Sequence, residues 1–364
     1  MNVSTKLAVL IISGLCSVSS SVAAQATEDS KQQLLESMSV KLQSGISAFE
    51  AGEWKSAVKG FKEVLAEEPK NNTALFYLAR TYFELQELDD AEEVFEEALE
   101  QQPNSAEEHY WFARVNASQA MDASIFTAAG YANDSLDHFK LSVKVKPDFL
   151  AGHIGLFNYY LGAPSIVGGS KDKAAEVLEQ IKPLSLSDYH VLKLNLLRAN
   201  EQFEESLKFA ESLLSSMQTL DSKSGFYAVL ELQRQKQYEA AATAFESLSQ
   251  RYAKDKNDRY SLMALYQLGR TSVLASSMVQ QGISAFESYL SHIELIEPEP
   301  AGPSPEMGKP NLPEAYWAQL RLAQLKAVNT EKEAANKIIK SLSAAKIDND
   351  YFQDELAQAK KLLR

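Results

Sequence analysis

The sequence of 364 residues contains a single cysteine, Cys16, and this scarcity excludes whole structural classes. A disulfide framework, or a zinc site built on thiolates, needs at least two thiols, so we expect neither. Glycine and proline are also few, at 15 and 11 residues, which leaves room for long helices. Basic charge is scarce as well: 36 lysines and arginines face 49 acidic residues, a net charge of −13. Because nucleic-acid binders need basic surfaces, we predict no nucleic-acid partner.

Long hydrophobic runs are absent after the N-terminus, where one short run stands. Residues 7–18 read LAVLIISGLCSV, preceded by Lys6 and followed by small residues. A membrane-spanning helix needs about 20 apolar residues, whereas a signal peptide needs a shorter core and a small-residue cleavage site. We therefore predict a cleaved signal peptide over residues 1–26, cut after Ala24 or Ala26, and export to the periplasm without stable membrane insertion. The alternative is a retained membrane anchor.

A repeat of about 34 residues organises the chain that follows. Small, aromatic and apolar residues and a proline recur at intervals of 4, 3 and 5, in two sets that are 34 residues apart. The sets are Ala57, Phe61, Val64 and Pro69, then Ala91, Phe95, Ala98 and Pro103. A small residue, Gly45 or Ala79, precedes each set by 12 positions. The spacing predicts paired helices that approach closely at the small residue, with the phenylalanine filling the space between them.

This pattern closely resembles the tetratricopeptide repeat. Residues 72–105 carry it best, at Leu75, Leu78, Ala79, Tyr82, Ala91, Phe95, Ala98 and Pro103. The resemblance implies an all-α fold, a superhelical solenoid of helical hairpins with a concave inner surface. Stacking is required because one hairpin cannot bury its apolar face alone. Weaker copies of the spacing extend the pattern to about eight hairpins over residues 38–343, and residues 349–363 are expected to form a C-terminal capping helix.

The predicted organisation has four parts after the signal peptide. Residues 38–183 form an N-terminal array of hairpins, and residues 187–296 form degenerate hairpins of the same type. A linker at 297–313 holds six of the 11 prolines and is expected to be an extended spacer, with a ligand for a proline-recognition module as the alternative. Residues 314–364 form the last hairpin and the cap.

Two insertions interrupt the spacing within consecutive hairpins. Ten extra residues fall near 120–132 and seven near 163–169, each at the turn inside its hairpin. Both insertions are apolar and include Phe126 and Ile166, so we predict that they pack on one another as a knob that binds a partner. The alternative is a knob that only stabilises two weak repeats.

The second insertion continues into the turn Gly168, Gly169, Ser170 and Lys171. Ser170 suits a helix N-cap, and the glycines permit a sharp entry into a helix. A helix N-terminus with two nearby lysines can also hold an anion, so capping and anion binding both stay open. The second interpretation makes the protein a binder of a small anionic ligand or an accessory subunit of an enzyme.

The sequence carries no catalytic signature that we can identify. Its five histidines form no HExxH motif and no close pair, and no Gly-x-Ser-x-Gly or phosphate loop occurs. We therefore predict no enzyme activity, no metal and no cofactor.

The inner face of the hairpins remains as a candidate binding surface. The tetratricopeptide resemblance places there Phe76, Arg80 and Phe83 of the second hairpin, Tyr110 and Arg114 of the third, and Tyr159 of the fourth. Aromatic side chains beside arginines suit an extended peptide with a carboxylate. We predict a non-catalytic scaffold or adaptor that binds a protein or peptide through this groove or through the knob. Packing of these residues within the inner helix layer is the alternative, and self-assembly into a homo-oligomer is a third hypothesis.

Overall fold

The computed structural model describes residues 39–124, 126–293 and 311–363. The predicted signal peptide and most of the predicted linker lie outside these residues, and both stay predictions. Across the described residues the chain is helical, with two short 3-10 turns and no strand. None of the described helices combines the length and the apolar character that crossing a membrane requires.

The chain divides into two compact units at Ser135, within one continuous helix. Unit 1 contains the helices α1 (39–50), α2 (Trp54–Glu67), α3 (Asn72–Glu84), α4 (Leu88–Gln101), α5 (Ala106–Asp122) and the first part of α6 (Ala128–Val145). Unit 2 contains the rest of α6, α7 (Leu150–Gly162), α8 (Lys171–Ile181), α9 (Leu186–Ala199), α10 (Phe203–Leu214), α11 (Ser222–Arg234), α12 (Tyr238–Ser249), α13 (Arg259–Ala275), α14 (Val279–Ile293), α15 (Ala315–Val328), α16 (Lys332–Ala344) and α17 (Asp350–Lys361). Each odd-numbered helix up to α15 pairs with the even-numbered helix that follows it. The predicted all-α repeat of hairpins is confirmed.

The repeat spacing marks the buried positions of the hairpins. Ala57, Phe61 and Val64 of α2 have no exposed surface, and the corresponding residues of α4 are equally buried. A Cβ atom added to Gly45 would lie 2.8 Å from the Phe61 ring, which means that the ring occupies the space that the glycine leaves. Gly269 has the same relation to the ring of Phe286 in α13 and α14. Small residues thus admit aromatic rings between paired helices.

The first helix of most hairpins begins at a side-chain cap. Asn71, Ser105, Ser185, Asp221 and Asp258 each accept a hydrogen bond from the backbone N–H three residues later. Such caps satisfy N–H groups that have no partner inside the helix. The predicted terminal helix α17 begins in the same way at Asn349 and buries three apolar residues, Phe352, Leu356 and Ala359, against α15 and α16.

The first insertion lies in unit 1 and the second in unit 2. The first mainly lengthens its two helices, to 17 and 18 residues, because α5 continues to Asp122 and α6 begins at Ala128. Phe126 and Ile166 are 93% and 91% exposed, so neither side chain is packed against a neighbour. The predicted packing of the two insertions on one another stays a prediction. In the second insertion, Val167 is buried and the exposed residues stand on a tight turn.

Candidate protein-binding site

Two successive hairpins place their first helices, α3 and α5, side by side in unit 1. Equivalent positions of these helices are 34 residues apart in the sequence, as in Arg80 and Arg114. Around these two arginines lie aromatic rings of α1, α3 and α5. We call this group the aromatic–arginine cluster; its members are Phe49, Phe76, Phe83, Tyr110, Trp111, Arg80 and Arg114.

Arg80 lies in the interior of the cluster. Its guanidinium carbon is 4.1 Å from the centre of the Trp111 ring and 4.8 Å from that of Phe49. Aromatic faces attract a cation, and Arg80 is only 5% exposed. For Arg80 the structure therefore favours the packing alternative over direct contact with a partner.

Arg114 occupies the more open side of the same cluster. Its guanidinium carbon is 4.2 Å from the Trp111 ring centre and 5.0 Å from that of Phe83, and the side chain is half-buried. Arg114 forms no hydrogen bond and no ion pair with another described residue. A guanidinium stays charged at any physiological pH and binds carboxylates through paired N–H donors. Arg114 is thus held in position by the rings, with N–H donors that no described residue accepts.

The rings that surround Arg114 form a continuous layer. Phe83 and Trp111 meet edge to face at 5.8 Å between ring centres, and Tyr110 meets Trp111 at 5.6 Å. Phe83, Tyr110 and Trp111 are buried, whereas Phe76 is half-buried. All five predicted groove residues of unit 1 are therefore brought together. The sequence analysis missed Trp111 and Phe49, although Trp111 stands 34 residues after Tyr77 and so shares the repeat phase.

A buried carboxyl group lies at the N-terminal end of the same helices. Asn72 of α3 hydrogen-bonds Glu108 of α5, and Glu108 is 3% exposed. Burial raises the pKa of Glu108 above its ordinary value, because desolvation disfavours the charged form. The next residue, His109, donates from Nε2 to the carbonyl of Pro103 at 3.1 Å. Burial lowers the pKa of His109, so it is neutral at pH 7.

Tyr159, the groove residue predicted from the fourth hairpin, lies in unit 2 and is used differently. Its hydroxyl donates to the carbonyl of Val167 at 2.7 Å, which ties α7 to the second insertion. Burial raises the pKa of Tyr159 to about 12, so the hydroxyl keeps its proton. The side chain thus holds the insertion turn in place.

The hydrogen-bond donors of the predicted anion-binding turn are bonded to acceptors within the protein. The backbone N–H groups of Gly168, Gly169 and Ser170 donate to the carbonyls of Ser165, Pro164 and Tyr160. The Ser170 hydroxyl accepts from the N–H of Lys173, as predicted for a cap, and Lys171 donates to the carbonyl of Ala199. These groups therefore support the capping alternative and are not available to an anion. Across the described ranges, no three histidine, cysteine or acidic residues are grouped to hold a metal ion.

Comparison with known proteins gives one family match and several distant structural likenesses. Residues 48–111 match a family model described as tetratricopeptide repeat. No curated protein matches the chain in sequence. A thermophilic TPR protein of Thermus thermophilus is 20% identical, over 54% of this chain and 98% of that one, with a TM-score of 0.42. A tetratricopeptide repeat protein of Parabacteroides merdae is 12% identical, over 90% and 99%, with a TM-score of 0.43.

A third likeness is to pilF of Pseudomonas aeruginosa, at 13% identity over 64% of this chain and 98% of that one, with a TM-score of 0.43. Because these scores are low, the family assignment depends on the sequence match and on the hairpin geometry. The matched segment contains α2, α3 and α4, the helices in which the repeat spacing is most regular. Their buried alanines and phenylalanines and the family match identify residues 48–111 as tetratricopeptide repeats.

Proposed function

We propose that this protein is a non-catalytic periplasmic scaffold or adaptor that binds a protein or peptide through the aromatic–arginine cluster of unit 1. The observation that carries the proposal is the state of Arg114. Its guanidinium lies over aromatic rings, it is half-buried, and its N–H donors form no hydrogen bond with a described residue. An arginine in this state is suited to a carboxylate of an incoming peptide.

The setting of Arg114 favours binding for two physical reasons. Stacking on Trp111 and Phe83 restricts the side chain before the partner arrives, so less conformational entropy is lost on binding. The neighbouring rings lower the local dielectric, and a charge-assisted hydrogen bond is stronger there than in open water. Arginine and aromatic residues are also the side chains that most often dominate binding energy at interfaces.

The repeat architecture and the N-terminus support the rest of the proposal. Stacked helical repeats bind proteins or peptides because they offer extended surfaces built from equivalent side chains. Residues 1–26 have the order of charge, apolar core and small residues that is typical of an export signal. Self-assembly remains a distinct outcome of the experiment below, since a second copy of the chain is itself a protein partner.

Arg114→Gln tests the proposal, because it removes the charge and keeps much of the side-chain length. Arg270→Gln is the matched control, since Arg270 is exposed on α13 and lies outside the cluster. We expect tagged wild-type protein and the Arg270 variant to retain the same specific partner from an envelope extract, and the Arg114 variant to lose it by about tenfold in Kd. Equal retention by all three proteins refutes the role of the cluster.

A second candidate surface is the exposed tip of each insertion. Phe126 in unit 1 and Ile166 in unit 2 are the most exposed large apolar residues among those described. Isolated exposed apolar residues are common, but these two stand on turns that the regular repeats lack. A photo-crosslinking amino acid placed at position 126 or 166, compared with position 76, separates the two surfaces: crosslinks from 76 alone support the cluster, and crosslinks from the tips alone support the insertions.

A further inference from the structure

Unit 2 contains a groove that the repeat pattern does not explain, between α6, α7 and α8. Its volume is about 610 Å³, and Lys140, Lys144 and Lys173 stand along its edges. Glu176 is the sole acidic side chain among its lining residues. A concentration of lysines is unexpected in a chain with a net charge of −13. The local field of this groove therefore attracts negative groups.

The floor of the groove is apolar and aromatic. Leu156 and Tyr160 of α7 and Val177 of α8 line it and are buried, while Val143 of α6 is half-buried. The ammonium of Lys173 stands 5.5 Å from the centre of the Tyr160 ring. A ligand that fills the groove meets apolar surface below and positive charge at the rim. This combination suits an apolar side chain flanked by carboxylates.

The lysines differ in how far their charges are already satisfied. Lys140 is 3.0 Å from the carboxylate of Asp137 on the same helix. Lys144 and Lys173 form no ion pair within the described ranges. An incoming carboxylate therefore gains most at these two ammonium groups.

His153 also lines the groove, and its ring is buried. Its Nε2 lies 2.8 Å from the carbonyl oxygen of Pro147, which can only accept, so Nε2 carries the hydrogen. In the neutral ring Nδ1 is then an acceptor. His153 is 4% exposed, and its Nδ1 is buried without a hydrogen-bond partner among the described residues. Because this atom is buried, a ligand in the groove does not reach it.

We propose that the groove between α6, α7 and α8 binds an acidic peptide segment of a partner protein. The carboxylates of the peptide face Lys144 and Lys173, and an apolar side chain packs on Leu156 and Tyr160. This site lies within unit 2 and does not depend on the aromatic–arginine cluster. It differs from the cluster in offering two charged rims over an apolar floor instead of a single stacked guanidinium.

Fluorescence anisotropy of the purified full-length protein tests the site with a labelled peptide of glutamate and leucine residues. The double variant Lys144→Gln/Lys173→Gln is compared with Lys332→Gln/Lys337→Gln, which removes the same charge from exposed positions of α16. We expect the Kd of the peptide to rise about tenfold in the first variant and to stay unchanged in the second. Circular dichroism of both variants verifies that the helices are retained.

The proposal fails if the protein does not bind the peptide, or if both variants weaken binding equally, which indicates unspecific attraction. It also fails if a peptide with glutamine in place of glutamate binds as well. Inorganic phosphate is the second arm: complete competition at a concentration that leaves the ionic strength unchanged indicates a simple anion site.

Discussion

Gly269 offers a direct measure of how tightly the paired helices approach. A Cβ atom at this position would lie 2.5, 2.6 and 2.7 Å from three ring atoms of Phe286, well inside van der Waals contact. The ring has little freedom to retreat, because Phe286 is fully buried and meets the Tyr266 ring at 5.7 Å. Overpacking of a core costs about 1–3 kcal/mol. The gain in helix propensity from glycine to alanine returns at most about 1 kcal/mol.

We therefore expect Gly269→Ala to lower the free energy of unfolding by about 1–2 kcal/mol. Gly225→Ala is the matched control in α11, where the nearest atom to an added Cβ is the Met217 sulfur at 3.5 Å, an ordinary contact. Without a clash, this variant is expected to gain about 0.5–1 kcal/mol. Urea unfolding followed by circular dichroism measures both changes as shifts of the midpoint at constant m value.

A second substitution identifies the cause of any loss. Phe286→Leu reduces the ring to a smaller and more flexible side chain, so in the Gly269→Ala background it is expected to cost less than it does alone. The difference is the coupling energy of the two positions. A Gly269→Ala protein as stable as wild type, or a coupling energy of zero, would refute the close approach of α13 and α14.

Two further predictions concern buried charges. Glu108 holds its proton more tightly in the folded state, so its stabilising contribution is complete below pH 4.5 and is lost as the pH rises through the raised pKa. As the pH rises above 4.5, the urea midpoint is expected to fall less in Glu108→Gln than in the wild-type protein. The same pH profile in both proteins would contradict the burial argument. Glu231 is fully buried, 3.2 Å from a guanidinium nitrogen of Arg198 and 3.7 Å from one of Arg234. Arg198→Ala is expected to lower the free energy of unfolding by about 2–3 kcal/mol, because Arg234 alone compensates poorly for the buried carboxylate. A loss below about 0.5 kcal/mol in urea unfolding would contradict this role of Arg198.

The hairpin fold was predictable because its signal is local and repeated. The intervals that mark Ala57, Phe61 and Val64 follow from helix geometry, and the same positions prove to be fully buried. The insertions were harder, because counting extra residues gives their number and not their conformation. Those between α5 and α6 mostly extend the helices. An amphipathic extension and an apolar loop have similar compositions, so the sequence could not distinguish them.

The candidate site was predictable in part. The repeat phase brought Arg80 and Arg114 into one group, but it could not tell which guanidinium would be enclosed. That difference depends on rings such as Phe49 that belong to another hairpin. The groove with three lysines was missed because Lys140 and Lys173 come from different hairpins and share no periodic position. Whether a charged side chain is buried or exposed depends on how the helices pack, and the repeat spacing does not give this.

Polar contacts between the first helix of one hairpin and the next first helix, or the terminal helix α17, recur along unit 2. They join Arg198 to Glu231, Gln233 to Gln267 and Arg321 to Glu355, at separations of 33 and 34 residues. Each contact connects a hairpin only to the next element of the chain. A pulling force on the C-terminal helix therefore acts first on the contact between this helix and the last hairpin. Hairpins are expected to unfold one after another from that end, while those nearer the N-terminus stay folded. A partner that pulls on one end therefore unfolds the hairpins in several steps and not in one cooperative transition.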